Sequence, residues 1–238
     1  MACALVATWW TGPSQRRLFS SIVISAGNYQ RWMNGVVRSR SKIHLLEYVR
    51  SLGYGGLIGN MYRMRDLPQH SGKCFSALRN LRSLTFFDTR VERISEEGFH
   101  TCFSAFQETL TYLSLEFITT SFSAFVTLVN YFPNATVLQL RLSVLVPDEA
   151  PVPTLSRPLR GKLHIDCLRS DCVEFFDRLA KLELEYEELV ITSSSLSVKT
   201  EFLESALQIS KSTVKSLRLI DDHQGEITST DIPHRTTP

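Results

Sequence analysis

One phrase recurs along this chain. LTYLSL at 110–115 has the form LxxLxL, with leucines at 110, 113 and 115. Related phrases are LRSLTF (81–86), ATVLQL (135–140) and VKSLRL (214–219). Looser versions are FSSIVI (19–24), VRSLGY (49–54), RGKLHI (160–165) and YEELVI (186–191). Their central positions are 22, 52, 84, 113, 138, 163, 189 and 217, so by subtraction the steps are 30, 32, 29, 25, 25, 26 and 28. Alternating apolar residues mark a strand. Eight strand-like pieces at nearly constant spacing mark a repeat, and a repeat decides the fold before any single residue does. Two units even share wording, FSALRNLRSLTF (75–86) and FSAFQETLTYLSL (103–115), which differ by one inserted residue.

Between these pieces the apolar period changes from two to about 3.6, the signature of an amphipathic helix. Ser95 is placed to cap a helix carrying Phe99, Cys102, Phe103 and Phe106. Ser121 is placed to cap one carrying Phe122, Phe125, Val129 and Phe132, stopped by Pro133. Ser170 precedes Val173, Phe176 and Leu179, and residues 199–210 carry Phe202, Leu203, Ala206 and Leu207. A serine at the first three starts supplies an oxygen for a first-turn N–H. The phenylalanine stripes are expected to be core, because such a helix needs an apolar face simply to pack. The expectation is an α/β solenoid of parallel strands alternating with outer helices, each unit burying its apolar face against the next. Residues 146–158 hold four prolines and cannot keep a regular helix. An irregular loop is expected there, and another at the glycine-rich GYGGLIG (53–59).

The first ten residues are nearly all apolar and end in Trp9-Trp10, followed by a turn-like Thr11-Gly12-Pro13-Ser14. No basic residue precedes the stretch, and bulky tryptophans stand where a signal peptide needs small residues. The run is about half the roughly 20 residues of a membrane helix. It therefore reads as part of a fold. Lys and Arg number 26 against 24 Asp and Glu, without a block of either sign. Neither a nucleic acid nor a membrane partner is expected. Five cysteines without a CxxC pair point to a reducing, cytoplasmic or nuclear compartment.

The LxxLxL units over residues 20–222 resemble leucine-rich repeats. That family places Asn or Cys three residues past the final leucine, where this chain has Thr89, Ile118, Ser143 and Asp222. At the front, Cys3-Ala-Leu5-Val6, Trp10, Pro13-Ser14-Gln15 and Leu18-Phe19 resemble the last helix of an F-box and its exit into the repeats. The whole is similar to the F-box/leucine-rich-repeat-like proteins of mushroom-forming fungi. The resemblance implies three parts: residues 1–19 as a remnant of the last F-box helix and its connector, 20–222 as the leucine-rich-repeat-like solenoid, and 223–238 as a disordered tail. The Leu-Pro-led earlier helices of an F-box are not in the sequence, so the chain reads as a fragment of a longer product. It also implies a role: the substrate-recognition part of a cullin-RING ubiquitin ligase, docking the ligase adaptor only where the missing F-box helices are present.

No dinucleotide, phosphate-loop, zinc-protease or serine-hydrolase motif occurs: Gly53 and Gly55 lack a third glycine at Ile58. No cofactor and no catalysis are expected. His164 and Asp166 share a strand face, with Cys167 on the other, and read as a polar face. With the leucines turned inward, the intervening positions form a protein-binding face: Thr85, Phe87, Tyr112, Ser114, Glu116, Gln139, Arg141, Lys162, His164, Asp166, Glu188 and Arg218. The expected partner is a protein substrate. The alternatives are an enzyme on a parallel α/β sheet, with its site at the strand ends, or a truncated product without function.

Overall fold

All eight central positions fall in strands. A computed structural model describes residues 8–25, 27–39, 42–55, 75–88, 100, 102–145, 153–167, 175, 178–179, 181–182, 184–193, 214–221 and 225–231. The chain divides into two compact units, residues 1–112 and 113–238. The fold is α/β.

In the first unit, β1 (Ser21–Ser25), β2 (Ser51–Gly55) and β3 (Ser83–Phe87) pair in parallel, in chain order. The register sets Ile22 beside Leu52 and Leu52 beside Leu84. The central residues of the phrases therefore form one row. Leu52 and Leu84 are fully buried, each contributing about 1.5–3 kcal/mol relative to exposure. One carbonyl joins each strand to the next. The Ser20 carbonyl accepts from the N–H groups of Arg50 and Ser51, at 2.8 and 2.9 Å. The Arg50 carbonyl accepts from Arg82 and Ser83, and the Arg82 carbonyl from Thr111 and Tyr112. Side chains repeat the pattern: the Asn80 amide donates to the Glu47 carbonyl at 2.9 Å, and the Thr109 hydroxyl to the Leu81 carbonyl at 2.7 Å.

The shared wording of 75–86 and 103–115 has a physical meaning. Phe75 and Phe103, the first residue of each phrase, are buried with ring centroids 5.8 Å apart. Phe86 and Phe106 complete an edge-to-face cluster around Phe103, and Tyr54 closes it on Phe75. Such aromatic pairs add about 0.5–1.5 kcal/mol beyond area burial.

The second unit contains β4 (Tyr112–Thr120, whose first residue belongs to the other unit), β5 (Val137–Leu145), β6 (Leu159–Cys167), β7 (Leu184–Ser193) and β8 (Ser216–Asp221). Strand order follows chain order. From β5 to β8 the pairing is parallel, and Leu138, Leu163, Leu189 and Leu217 are successive partners. Leu138, Leu163 and Leu189 are buried, whereas Leu217 is half-buried. A helix, Phe122–Tyr131, links β4 to β5. As the serine predicts, the Ser121 hydroxyl accepts from the Ala124 N–H at 3.2 Å. Its Phe122 and Phe125 rings meet Phe175, at 5.4 and 5.1 Å.

Some expectations are corrected. The turn expected at 11–14 is helical: α1 spans Thr8–Phe19 through Gly12 and Pro13. Pro13 lacks the N–H that would bond the Trp9 carbonyl and crowds that carbonyl, a local cost of about 3 kcal/mol, while Arg16 and Arg17 favour the helix C-terminus. Gly53 and Gly55, expected in a glycine-rich loop, lie in β2, and residues 56–59 of that expected loop lie outside the described residues. The tail expected to be structureless contributes β9 (Gly225–Asp231), antiparallel to β8. Main-chain pairing to a free strand edge needs little apolar area, and Ile227, Thr228 and Thr230 have strand-favouring side chains. Outer helices between the strands are described for only part of the chain. Among the described residues, the β1–β2 link holds a short helix (Tyr29–Trp32) with a wide turn (Met33–Val37) and a tight one (Ile43–Tyr48), and Ser104–Phe106 is a single tight turn. Cys102, Phe103 and Phe106 are buried as expected of their stripe. Ser95, Phe99, Val173, Phe176 and the helix expected at 199–210 lie outside the described residues, as do residues 1–7 and 232–238.

Candidate interaction face

Alternation carries the residues between the leucines to the other side of each sheet. In the first unit, Thr85 pairs with Gly53 and Gly53 with Val23, while Phe87 pairs with Gly55. Val23 is 57% exposed. A Cβ on Gly53 would meet the Val23 and Phe87 side chains at 3.2 and 3.5 Å. Thr85, Phe87 and Tyr112, the three expected site residues of this unit, are each half-buried.

In the second unit the face is charged. Parallel register sets Val137, Lys162, Glu188 and Ser216 in one row, and Gln139, His164, Val190 and Arg218 in the next. Lys162 Nζ lies 3.0 Å from Glu188 Oε1, and Arg218 Nε lies 3.7 Å from the same oxygen. That oxygen is paired by charge without hydrogen-bond geometry. A β-bulge at Gly161 and Lys162 sets where this row begins. Gly161 has a φ of 95°, and a Cβ there would overlap the Thr136 carbonyl oxygen, so only glycine fits.

The third row holds Asp166 beside Thr192. Asp166 is expected on an open face, yet it is only 3% exposed, and Ser114 is also buried. Arg141 reaches over Asp166 from β5, and Ser114 bonds along its own strand. Arg141 Nε donates to Asp166 Oδ2 at 2.5 Å, and Nη2 is paired with the same oxygen. His164 Nε2 lies 2.9 Å from the Thr192 hydroxyl. Ser114 donates to Glu116 at 3.0 Å. The structure thus brings Arg141, His164 and Asp166 into one cluster with Thr192, and Lys162, Glu188 and Arg218 into a second. Gln139 is half-buried in the row of His164.

Phe117 was missed by strict alternation. It is 42% exposed, takes a φ of 53°, and its ring lies 5.1 Å from the Arg141 guanidinium carbon. A left-handed residue inside a strand reverses the inward and outward positions beyond it. The inward residues are Leu113 and Leu115, then Ile118 and Thr120. That step of three from Leu115 to Ile118 was the available signal.

Among the described residues no group of His, Cys, Asp and Glu is arranged to hold a metal, and no helix is long and apolar enough to cross a membrane. Cys102 is buried. No family model, curated protein or solved structure matches this chain.

Proposed function

We propose that the chain is a non-catalytic protein-binding scaffold, a leucine-rich-repeat-like solenoid that recognises a protein substrate on its strand face. By its resemblance, it is the substrate-recognition part of an F-box protein in a cullin-RING ubiquitin ligase, and adaptor docking depends on the F-box helices that precede such a part. The observation supporting the reading is the register itself. The central leucines fall into rows that bury one side, and the residues between them gather six charged groups, three of each sign, from Glu116 to Arg218. Rows of mixed charge beside the exposed ring of Phe117 suit protein recognition.

The test is reversal of three face charges, Lys162→Glu, Glu188→Lys and Arg218→Glu, in the full chain. Proximity labelling in cells then compares this variant with wild type and with Lys181→Glu, an exposed site off the strands. Partners retained by wild type and Lys181→Glu should be lost by the face variant. A face variant that folds and keeps every partner overturns the reading.

A further inference from the structure

In the second unit a guanidinium sits between an aromatic ring and a buried carboxylate. Arg141 spends Nε and Nη2 on a single oxygen of Asp166, Oδ2. The other oxygen, Oδ1, is buried and has no hydrogen-bond partner among the described residues. A guanidinium and a carboxylate normally meet fork to fork, one N–H to each oxygen. An orphaned buried acceptor is costly, so Asp166 is incompletely matched by the arginine of its own chain. Arg141 is tied to β5 and reaches Asp166 from the side. Phe117 supplies a ring face for a planar cation. His164 and Thr192, bonded to each other, stand beside Asp166. A ring face, a carboxylate with one unused oxygen and a polar wall make a receptor for a guanidinium.

We infer that the recess between Phe117 and Asp166 is an arginine-binding site, filled by Arg141 in the free chain and by an arginine of the partner protein in the complex. This rests on the proposed role of the face and adds the chemistry of what the face reads. Arg141 is a placeholder that keeps the buried carboxylate neutralised. An incoming guanidinium that spans both oxygens makes one more charge-assisted hydrogen bond and displaces it. Lysine is the poorer ligand, because a point charge does not span the fork.

The test vacates the recess with Arg141→Ala in the full chain and titrates acetyl-Gly-Gly-Arg-Gly-Gly amide. The controls are the same peptide with citrulline, which keeps the shape and loses the charge, and with lysine. The arginine peptide should bind the variant at least about tenfold more tightly than wild type, as one added charged hydrogen bond implies. Lysine should bind more weakly and citrulline should be silent, and adding Asp166→Asn should abolish the response. Equal binding of arginine and citrulline, or of wild type and variant, overturns the inference. Should Arg141→Ala fail to fold, Arg141→Lys provides the weaker placeholder, and the same ranking of peptides is expected. A silent peptide alongside partner loss in the charge-reversed variant sinks the arginine site alone. A responsive peptide with partners unaffected by that reversal sinks the face reading alone.

Discussion

Asp88 and Phe117 stand four residues past the central leucines of neighbouring strands, Leu84 and Leu113, and both take a left-handed backbone, with φ of 47° and 53°. Aspartate tolerates that conformation; phenylalanine does so at a cost of about 1–2 kcal/mol. Substitutions at 117 should therefore rank by backbone tolerance rather than by strand preference. Phe117→Asn should be more stable than Phe117→Val by about 1 kcal/mol or more in urea melts, although valine is the better strand former. The opposite order would show that the left-handed turn is not held in solution.

The row of central leucines should show its ends. Leu113→Ala and Leu138→Ala remove buried side chains and should each cost about 2–5 kcal/mol. Leu217→Ala, at a half-buried position, should cost less than half of that. Denaturant midpoints at constant slope decide the matter, and three equal costs would contradict the burial gradient.

Two glycines should respond with opposite signs. Gly161→Ala puts a Cβ onto the Thr136 carbonyl in a left-handed conformation and should cost about 2 kcal/mol or more. Gly35→Ala lies in the wide turn Met33–Val37 with open space around it and should stabilise by about 0.5–1 kcal/mol. A thermal melt of each variant is sufficient, and a neutral Gly161→Ala would mean that the bulge at β6 relaxes freely.

Burial pushes the Tyr186 hydroxyl well above its usual ionisation range. A raised folded-state value leaves stability intact below the unfolded value, about 10, and removes it as pH rises beyond. Wild type should lose about 1.4 kcal/mol per pH unit above pH 10 from this residue. Tyr186→Phe should remove that slope while changing little at pH 7. Parallel profiles of urea midpoint against pH for the two proteins would exclude Tyr186 as the cause.

The strands were legible because each phrase fixes both period and phase: leucines at alternate positions, with bulk enough to demand burial. The helix after Ser121 was legible because its cap, its stripe and its terminating proline agree. The helix through Gly12 and Pro13 was not, since a Gly-Pro pair favours turns locally, and contacts that support the helix, such as Arg16 over the Tyr48 ring, come from a distant part of the chain. β9 escaped notice because pairing along an edge is made by main-chain groups, which sequence does not label. The face residues could be named from alternation alone. Their pairings could not, because Arg141 and Asp166 are 25 residues apart and meet only once strand register is set. Phe117 was hidden by a change of parity within one strand.

The carbonyls of Ser20, Arg50 and Arg82, each holding two successive N–H groups of the following segment, work like a clutch plate. Both lone pairs are engaged at one point, so the incoming strand enters in a single phase however long the excursion before it. The steps between central positions range from 25 to 32 residues, yet the leucines still meet as partners wherever register is defined. Connecting segments are thereby free to drift in length and wording over generations while the face keeps its alignment. A lineage built this way can rewrite most of its residues and lose nearly all trace of common ancestry at the level of letters.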